Sequence, residues 1–562
     1  LLAIATVALQ AAAAWGASPP PVRARQAMVV SPERQAGEIG VAVMRDGGNA
    51  VDAAVAVSMA LSVTYPLAAP LGGGGFILYR LPDGTAHALD FRERAPAAVR
   101  PGMFLDEEGR PLPGVGLRGG LAVGVPGTAA GLAEAHRRWG SLPWERLVRP
   151  AVALARDGID VYPWLAAALA RRAEVLAEEP GAAAIFLRDG RPLDAGERLV
   201  QADLAATLER IARDGADGFY RGPVADALVE AVGRAGGVMS AADLADYRPA
   251  LREPLVGSYR GRRVLSFPPP SSGGIALLQI LGMLERFDLA AAGPGSSLSV
   301  HLVAEASRRA FADRSRWLGD PDHVDVPSAE LLAPDYLARR AAGIRPRRAT
   351  PSRKVAPLEL AVAAGPAETL HFSIGDPRGG ALAATITLNQ WFGSAIVPSG
   401  TGVLLNDEMD DFALAPGVPN AYGLLGDEAN AVAGGKRPLS SMTPTIVDAG
   451  AGAERPLLVT GSPGGSTIIS TVAQLVIDVV DYGMPVQAAV DAPRFHHQWQ
   501  PDAIQYEPRA FPADVVEALR RRGHELVERE TYQGNANTIA TAPDGSWLGA
   551  ADPRRQGRAA GF

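Results

Sequence analysis

Apolar residues recur along the chain at two periods, and the change from one to the other divides it. Small and apolar residues fall at helical spacing over 36–61, interrupted by Gly47-Gly48-Asn49, after which a helix dense in Ala and Val begins. Residues 127–235 read as mostly helical, with amphipathic runs at 129–139 and 151–156. Strands are predicted at 77–80 and 87–91, and a strand pair over 255–267. A Pro-, Ser- and Gly-rich turn at 268–274 leads into a helix over 275–287, and another helix covers 299–317. After residue 369 the pattern changes. Short apolar, Thr-rich runs at 369–374, 381–388, 445–447, 457–460 and 538–540 predict strands separated by polar, Gly-rich loops, with helices at 468–482 and 513–522. No internal repeat occurs. This order predicts a layered α/β body shared between two halves.

Between the two regimes, 345–366 is rich in Pro, Ala and Arg without a steady apolar period, which predicts an exposed loop. It runs into Glu368-Thr369-Leu370-His371-Phe372-Ser373. A Thr between a cuttable loop and a core strand can become a new N-terminus, and its free α-amine then serves as the base for its own hydroxyl. Taken alone, the stretch is better read as an ordinary strand-edge threonine.

Composition narrows the chemistry. The chain has 562 residues, 47% of them hydrophobic and 20% charged, as expected of a soluble protein with a large core in two parts or several domains. A net charge of −7 argues against nucleic acid as a partner. The absence of cysteine excludes disulfides, thiolate catalysis and cysteine metal sites. Of the two lysines, Lys354 and Lys436, the second follows Gly434-Gly435 but precedes Arg437, so the P-loop pattern fails. His496-His497 is the only adjacent histidine pair and is expected to be structural; no His-Glu-x-x-His occurs, and no metal or cofactor is expected. Residues 1–14 are apolar and Ala-rich and lead into Trp15-Gly16-Ala17-Ser18 and three prolines. This looks like the apolar region and cleavage zone of a secretory signal over residues 1–17, although neither a Met nor a basic stretch precedes it. The expectation is a periplasmic or secreted bacterial protein. The apolar run is too short to span a bilayer, so no stable membrane anchor is expected.

Several stretches suggest chemistry. Gly72-Gly73-Gly74-Gly75 precedes a strand, which permits a tight turn or close backbone approach but reverses the order of a nucleotide loop. Arg92 follows a strand end and suits a carboxylate; the plainer alternative is a surface pair with Glu93. Thr385, Thr387 and Asn389 alternate, which predicts one polar strand face, costly unless used or paired. Asp407, Glu408, Asp410 and Asp411 lack EF-hand spacing; they fit either a solvated acidic turn or a receptor for a substrate ammonium. Ser440 and Ser441 set two hydroxyls side by side in a turn. Gly461-Ser462-Pro463-Gly464-Gly465-Ser466 joins a strand to a helix, where consecutive N–H groups suit an oxyanion. The order is not that of the α/β-hydrolase elbow.

These motifs together resemble the γ-glutamyltranspeptidases, N-terminal-nucleophile hydrolases. The matching runs are Thr-x-His-Phe-Ser, Leu-Asn-Asp-Glu-Met-Asp-Asp-Phe, Lys-Arg-Pro-Leu-Ser-Ser-Met-Thr-Pro-Thr, Thr-Gly-Ser-Pro-Gly-Gly-Ser and Ala-Pro-Arg-Phe-His-His-Gln-Trp. Upstream, Gly-Gly-Asn-Ala-Val-Asp-Ala-Ala, the four glycines and Asp-Phe-Arg-Glu match too, so the resemblance spans nearly the whole chain after residue 17.

The resemblance implies a four-layer αββα sandwich built from a large subunit, residues 18–368, and a small catalytic subunit, residues 369–562, cut from one precursor and held as a heterodimer. It implies Thr369 as nucleophile and Thr387 as the hydroxyl supporting it. Asn389, Glu408 and Asp411 would contact the α-amino group of a γ-glutamyl moiety, and Arg92, Ser440 and Ser441 its α-carboxylate. Gly464 and Gly465 would hold the oxyanion, and Tyr422 would belong to a loop covering the pocket. The implied partners are γ-glutamyl donors such as glutathione, with water, amino acids or peptides as acceptors. Leu370 departs from the family, which usually has Thr or Ser there. The rival reading is a cephalosporin acylase taking a glutaryl side chain, which has no α-ammonium and so no need of Glu408 and Asp411. A non-catalytic binding protein is a third, against which Thr369, Thr387 and the glycine pair argue.

Overall fold

Fourteen strands, numbered in chain order, form two antiparallel sheets in the computed structural model, which describes residues 18–68, 70–355, 369–450 and 452–562. Before residue 369 these are β1 (Val22–Ala24), β2 (Met28–Ser31), β3 (Gly74–Arg80), β4 (Ala86–Phe91), β5 (Ala250–Arg252), β6 (Leu255–Tyr259) and β7 (Arg262–Ser266). After it come β8 (Thr369–Gly375), β9 (Ala381–Thr387), β10 (Thr445–Asp448), β11 (Pro456–Thr460), β12 (Thr538–Thr541), β13 (Trp547–Ala550) and β14 (Arg558–Gly561). One sheet runs β14-β2-β8-β9-β3-β4-β5 and the other β1-β13-β12-β11-β10-β7-β6. Both interleave strands from before and after Thr369, so neither segment can leave without opening both sheets.

Residue alternation assigns the layers. Leu370, Phe372 and Ile374 of β8, with Leu382, Ala384 and Ile386 of β9, pack with helices α1 (Arg34–Arg45) and α2 (Ala50–Thr64). The intervening Ala381 and Ala383 face the second sheet, whose other face meets α3 (Gly273–Leu284), α4 (Ser297–Trp317) and α5 (Thr467–Val480). The result is the four-layer αββα sandwich. All of α2 is buried, which explains why it carries Ala and Val on every face. Its start is fixed by a capping box: the Asn49 side chain accepts from Val51 and Asp52 N–H, and Asp52 accepts from Asn49 N–H at 2.9 Å.

The inter-sheet layer next to Thr369 is polar and hydrogen-bonded. His371 Nδ1 lies 2.9 Å from Thr385 Oγ1 and Nε2 lies 3.1 Å from Ser373 Oγ. Ser373 Oγ donates to the carbonyl of Asn537 at 2.8 Å, and Asn537 Nδ2 donates to the carbonyl of His371 at 2.8 Å. Burial pushes the His371 imidazole down to about 3, so it stays neutral at ordinary pH. The ring sits against Gly461, where a Cβ would lie 2.4 Å from ring atoms.

The four glycines serve close approach. A Cβ on Gly73 would lie 1.9 Å from the Thr387 carbonyl oxygen, and one on Gly75 2.3 Å from that of Thr385.

One sequence expectation is corrected. Asn389 does not continue the polar face of β9: the strand ends at Thr387, and Asn389 has a left-handed φ of 78°. In the expected exposed loop, residues 345–348, 353 and 354 are exposed, but the stretch is pinned to the body. Glu305 accepts from Thr350 N–H (2.9 Å) and hydroxyl (2.6 Å), and Asp502 accepts from Ser352 N–H (2.7 Å). Trp499 Nε1 donates to the Ser352 carbonyl (3.1 Å), and Ser352 is fully buried. The expected signal over 1–17 and the stretch 356–368, including Glu368, lie outside the described residues. Among the described residues, no single helix is long and apolar enough to cross a membrane.

Replacing Gly461 by Ala drives a methyl group into the His371 ring. Overpacking of this kind costs about 1–3 kcal/mol, so the Gly461→Ala protein should show a lower chemical-denaturation midpoint at an unchanged m-value. An unchanged midpoint would contradict the packing described.

Candidate active site

Thr369 opens β8 and stands in register with Thr387 at the end of β9, so both hydroxyls face the space between the sheets. Thr369 Oγ1 donates to Thr387 Oγ1 at 3.3 Å, and Thr387 Oγ1 also accepts from the N–H of Asn389 at 2.8 Å. The left-handed turn at Asn389 brings that N–H back onto the strand end. Ten of the eleven residues singled out in the sequence line one cavity of about 20 Å³ here, joined by Met442 and Ile468. Gly464 alone does not line it, although its neighbour Gly465 does.

The acidic stretch is buried, which rules out a solvated turn. Residues Glu408–Asp411 form a single 3-10 turn, with Glu408 and Asp411 on the cavity. Asp410 instead accepts from Ala421 N–H (3.0 Å), and Asp407 from Gln390 N–H (2.9 Å). Asn406 organises the approach: its Oδ1 accepts from Gly124 and Glu408 N–H, and its Nδ2 donates to the Gly72 and Gly124 carbonyls.

Arg92 is fully buried, so it is not a surface arginine. It does contact Glu93 (3.3 Å), but it also pairs with Glu408 and with Asp411 (2.5 Å). The proposed carboxylate clamp and the proposed ammonium acids therefore hold one another. Burial pulls the Arg92 guanidinium down, yet the three carboxylates outweigh that and keep it above its ordinary value. Burial pushes Glu408 well above the usual carboxylate range, Asp411 above it, and Glu93 up to about 7, against the opposing pull of Arg92. Glu408 Oε2 is buried and has no hydrogen-bond partner among the described residues.

The serine turn is pinned by β7's continuation. Ser440 N–H donates to the Pro270 carbonyl (2.8 Å), and the Ser440 carbonyl accepts from Ser272 N–H and hydroxyl, both at 2.7 Å. Sequence reading missed Arg314 of α4. Its Nε donates to Ser272 Oγ (2.9 Å) and its Nη2 to Ser441 Oγ (3.4 Å), and burial pulls it down to about 10. No spacing in the sequence links a helix arginine to a serine turn 127 positions later.

Gly464 and Gly465 have φ of 132° and 55° and lead into α5. Their carbonyls accept from Thr467 and Ile468 N–H, at 3.1 and 3.2 Å, while neither glycine N–H donates to another described residue. Such outward N–H groups at a helix start suit an anion. Tyr422 is buried over the site; its hydroxyl donates to the Asn389 carbonyl at 2.9 Å and also contacts Asn389 Oδ1. Asn389 Nδ2 donates in turn to the Asp407 carbonyl (2.8 Å).

Away from this cavity, His301, Glu305 and His524 come close enough to suggest a metal site. Their donors are already engaged. His301 Nδ1 and His524 Nε2 share a hydrogen bond of 2.7 Å, and Glu305 is held by Thr350 and by Arg309 at 2.8 Å. The cluster anchors the chain at 345–352.

The family model for gamma-glutamyltranspeptidase matches residues 36–562. The glutathione hydrolase proenzyme of Escherichia coli (strain K12) is 47% identical over 535 residues, covering 95% of this chain and 91% of that protein. The acylase ACY 1 proenzyme of Pseudomonas sp. (strain SE83) is 37% identical over 544 residues, 96% and 94% of the two chains. The crystal structure of a cephalosporin acylase from Bacillus halodurans superposes with a TM-score of 0.85 at 28% identity, covering 97% of this chain and 98% of that one. With the fold, the paired threonines and this match over nearly its whole length, the chain belongs to the γ-glutamyltranspeptidase family of enzymes.

Proposed function

We propose that the chain is a proenzyme that cuts itself between Glu368 and Thr369 and then hydrolyses or transfers γ-glutamyl groups, glutathione being a donor. The freed α-amine of Thr369, with an ordinary pKa of about 7.7–8.0, takes the hydroxyl proton as Oγ1 attacks the γ-amide carbon. Thr387 holds the attacking oxygen in place. The oxyanion lies on the N–H groups of Gly464 and Gly465; one such donor is typically worth about 10²–10³ in rate. The ammonium of Thr369 then returns its proton to the departing amine, leaving a γ-glutamyl ester on Thr369. Water, or the amine of an amino acid or peptide, resolves it by the same route. The two cut segments stay together as a heterodimer because both sheets draw strands from each. An exported location, periplasmic or secreted, is proposed on the apolar stretch over residues 1–14 alone.

The observation that carries the substrate class is the ion pair inside the cavity. An α-amino acid end brings one positive and one negative charge. Its carboxylate takes Arg92 with Ser440 and Ser441, and its ammonium takes Glu408 and Asp411, so the buried charge balance is unchanged by the exchange. The buried, unpartnered Glu408 Oε2 gains a donor. A glutaryl group brings only a carboxylate: it would engage Arg92 and offer no cation to Glu408 and Asp411, so the pairs it displaces are not replaced. This favours the γ-glutamyl reading over the acylase reading. The cavity of about 20 Å³ has room for about one water as it stands, so its lining has to rearrange to take a γ-glutamyl group. Tyr422 covers the resulting ester and slows its attack by water.

A charged hydrogen bond contributes about 1.5–3 kcal/mol. Asp411→Asn should therefore raise KM for a γ-glutamyl anilide about ten- to a hundredfold, and raise it far less for a glutaryl anilide. Equal increases with the two substrates would refute the ammonium assignment and support the acylase reading.

A further inference from the structure

The Arg494-to-Trp499 run is one of the strongest motifs in the chain, yet the chemistry above does not use it. Its Gln498 is buried and fully engaged. The side-chain Nε2 donates to two consecutive backbone carbonyls, those of Tyr422 and Gly423, each at 3.1 Å. Its Oε1 lies 2.7 Å from His496 Nε2, and His496 Nδ1 lies 2.6 Å from Ser470 Oγ on α5. Oε1 can only accept, so His496 carries its proton on Nε2 and accepts from Ser470 at Nδ1. Burial, which pushes His496 down to about 3, keeps it in that neutral form. Gln474 of α5 fixes the preceding residue from both sides, donating to the Phe495 carbonyl (2.8 Å) and accepting from its N–H (3.1 Å).

The loop it grips has its own internal order. Asn420 Oδ1 accepts from Tyr422 and Leu424 N–H, at 3.0 and 3.1 Å, which shapes the turn. The hydroxyl end of Tyr422 is fastened to Asn389, and its backbone end to Gln498. Buried carbonyls need donors, and a single side chain supplies them to both loop residues. The grip leads back to α5, the helix that Gly464 and Gly465 open.

We propose that Gln498 is a positioning residue that holds the Tyr422 loop closed over the Thr369 site, with His496 and Ser470 orienting its amide from α5. Through the loop it sets how often the γ-glutamyl ester meets water before an acceptor amine. The inference rests on the reading that this loop covers the ester.

The test compares processed wild-type enzyme with Gln498→Met, Tyr422→Ala and the double variant. Hydrolysis and transfer of a γ-glutamyl anilide are measured with glycylglycine as acceptor, per titrated active site. Losing two neutral hydrogen bonds should make the open loop about five- to thirtyfold more populated. Gln498→Met should then move the ratio toward hydrolysis, as Tyr422→Ala does, and the double variant should go little further than Tyr422→Ala alone. Amide hydrogen exchange at 420–424 should quicken while that of α5 stays slow. Gln498→Asn, whose shorter amide cannot reach both carbonyls, gives the same readout if the Met variant folds poorly. A lowered melting temperature with an unchanged ratio, in a set where Tyr422→Ala does shift it, would overturn the role given to Gln498. If Tyr422→Ala itself leaves the ratio unchanged, the covering-loop reading fails and this inference falls with it.

Discussion

The register between β8 and β9 is the constraint on which the site depends. Seven residue pairs run from Thr369 opposite Thr387 to Gly375 opposite Ala381. Because strand side chains alternate, a slip of β8 by one residue against β9 would turn Thr369 toward the helices, away from the Thr387 hydroxyl, and set Leu370 between the sheets. The apolar set on the helix side and the His371–Thr385 pair on the inner side each oppose that slip. Gly73 and Gly75 complete the constraint from the far side of β9, where a Cβ would strike its backbone. The ladder thus fixes the distance between two hydroxyls before any substrate is considered.

The second requirement is electrical. Three carboxylates surround the buried Arg92, and burial raises all three above their ordinary range, which lessens the negative charge that Arg92 has to balance. Arg314 behind Ser441 adds a second buried cation. A zwitterionic ligand end can replace the internal pairs one for one, whereas a simple carboxylate cannot. Selectivity on this account arises from what the empty pairs demand, and shape is secondary to it.

Much of this was legible in the residues. Alternation in 381–388 put Thr385 and Thr387 on one face, and the motif at 464–465 pointed to N–H groups at a helix start. The sandwich itself came from family resemblance, since period alone gave only layers. What remained hidden was contact between distant segments. Arg92 meets Glu408 across 316 positions, and neither carries a mark of the other. Arg314 lies on a helix face that reads as core. Asn389 looked like a strand residue because alternation cannot register a left-handed backbone. Residues 345–355 read as exposed from their Pro and Arg content, but specific bonds to Glu305, Asp502 and Trp499 bury Ser352.

Thr369 is proposed both to cut the chain and to carry the acyl ester. Intact mass and N-terminal sequencing of protein purified without added protease address this directly. Wild-type protein should give a fragment spanning Thr369 to Phe562 that begins Thr-Leu-His-Phe-Ser. Thr369→Ala should remain whole and release no product from a γ-glutamyl anilide. A Thr369→Ala chain that still splits between 368 and 369, or still turns over that substrate, would contradict the account.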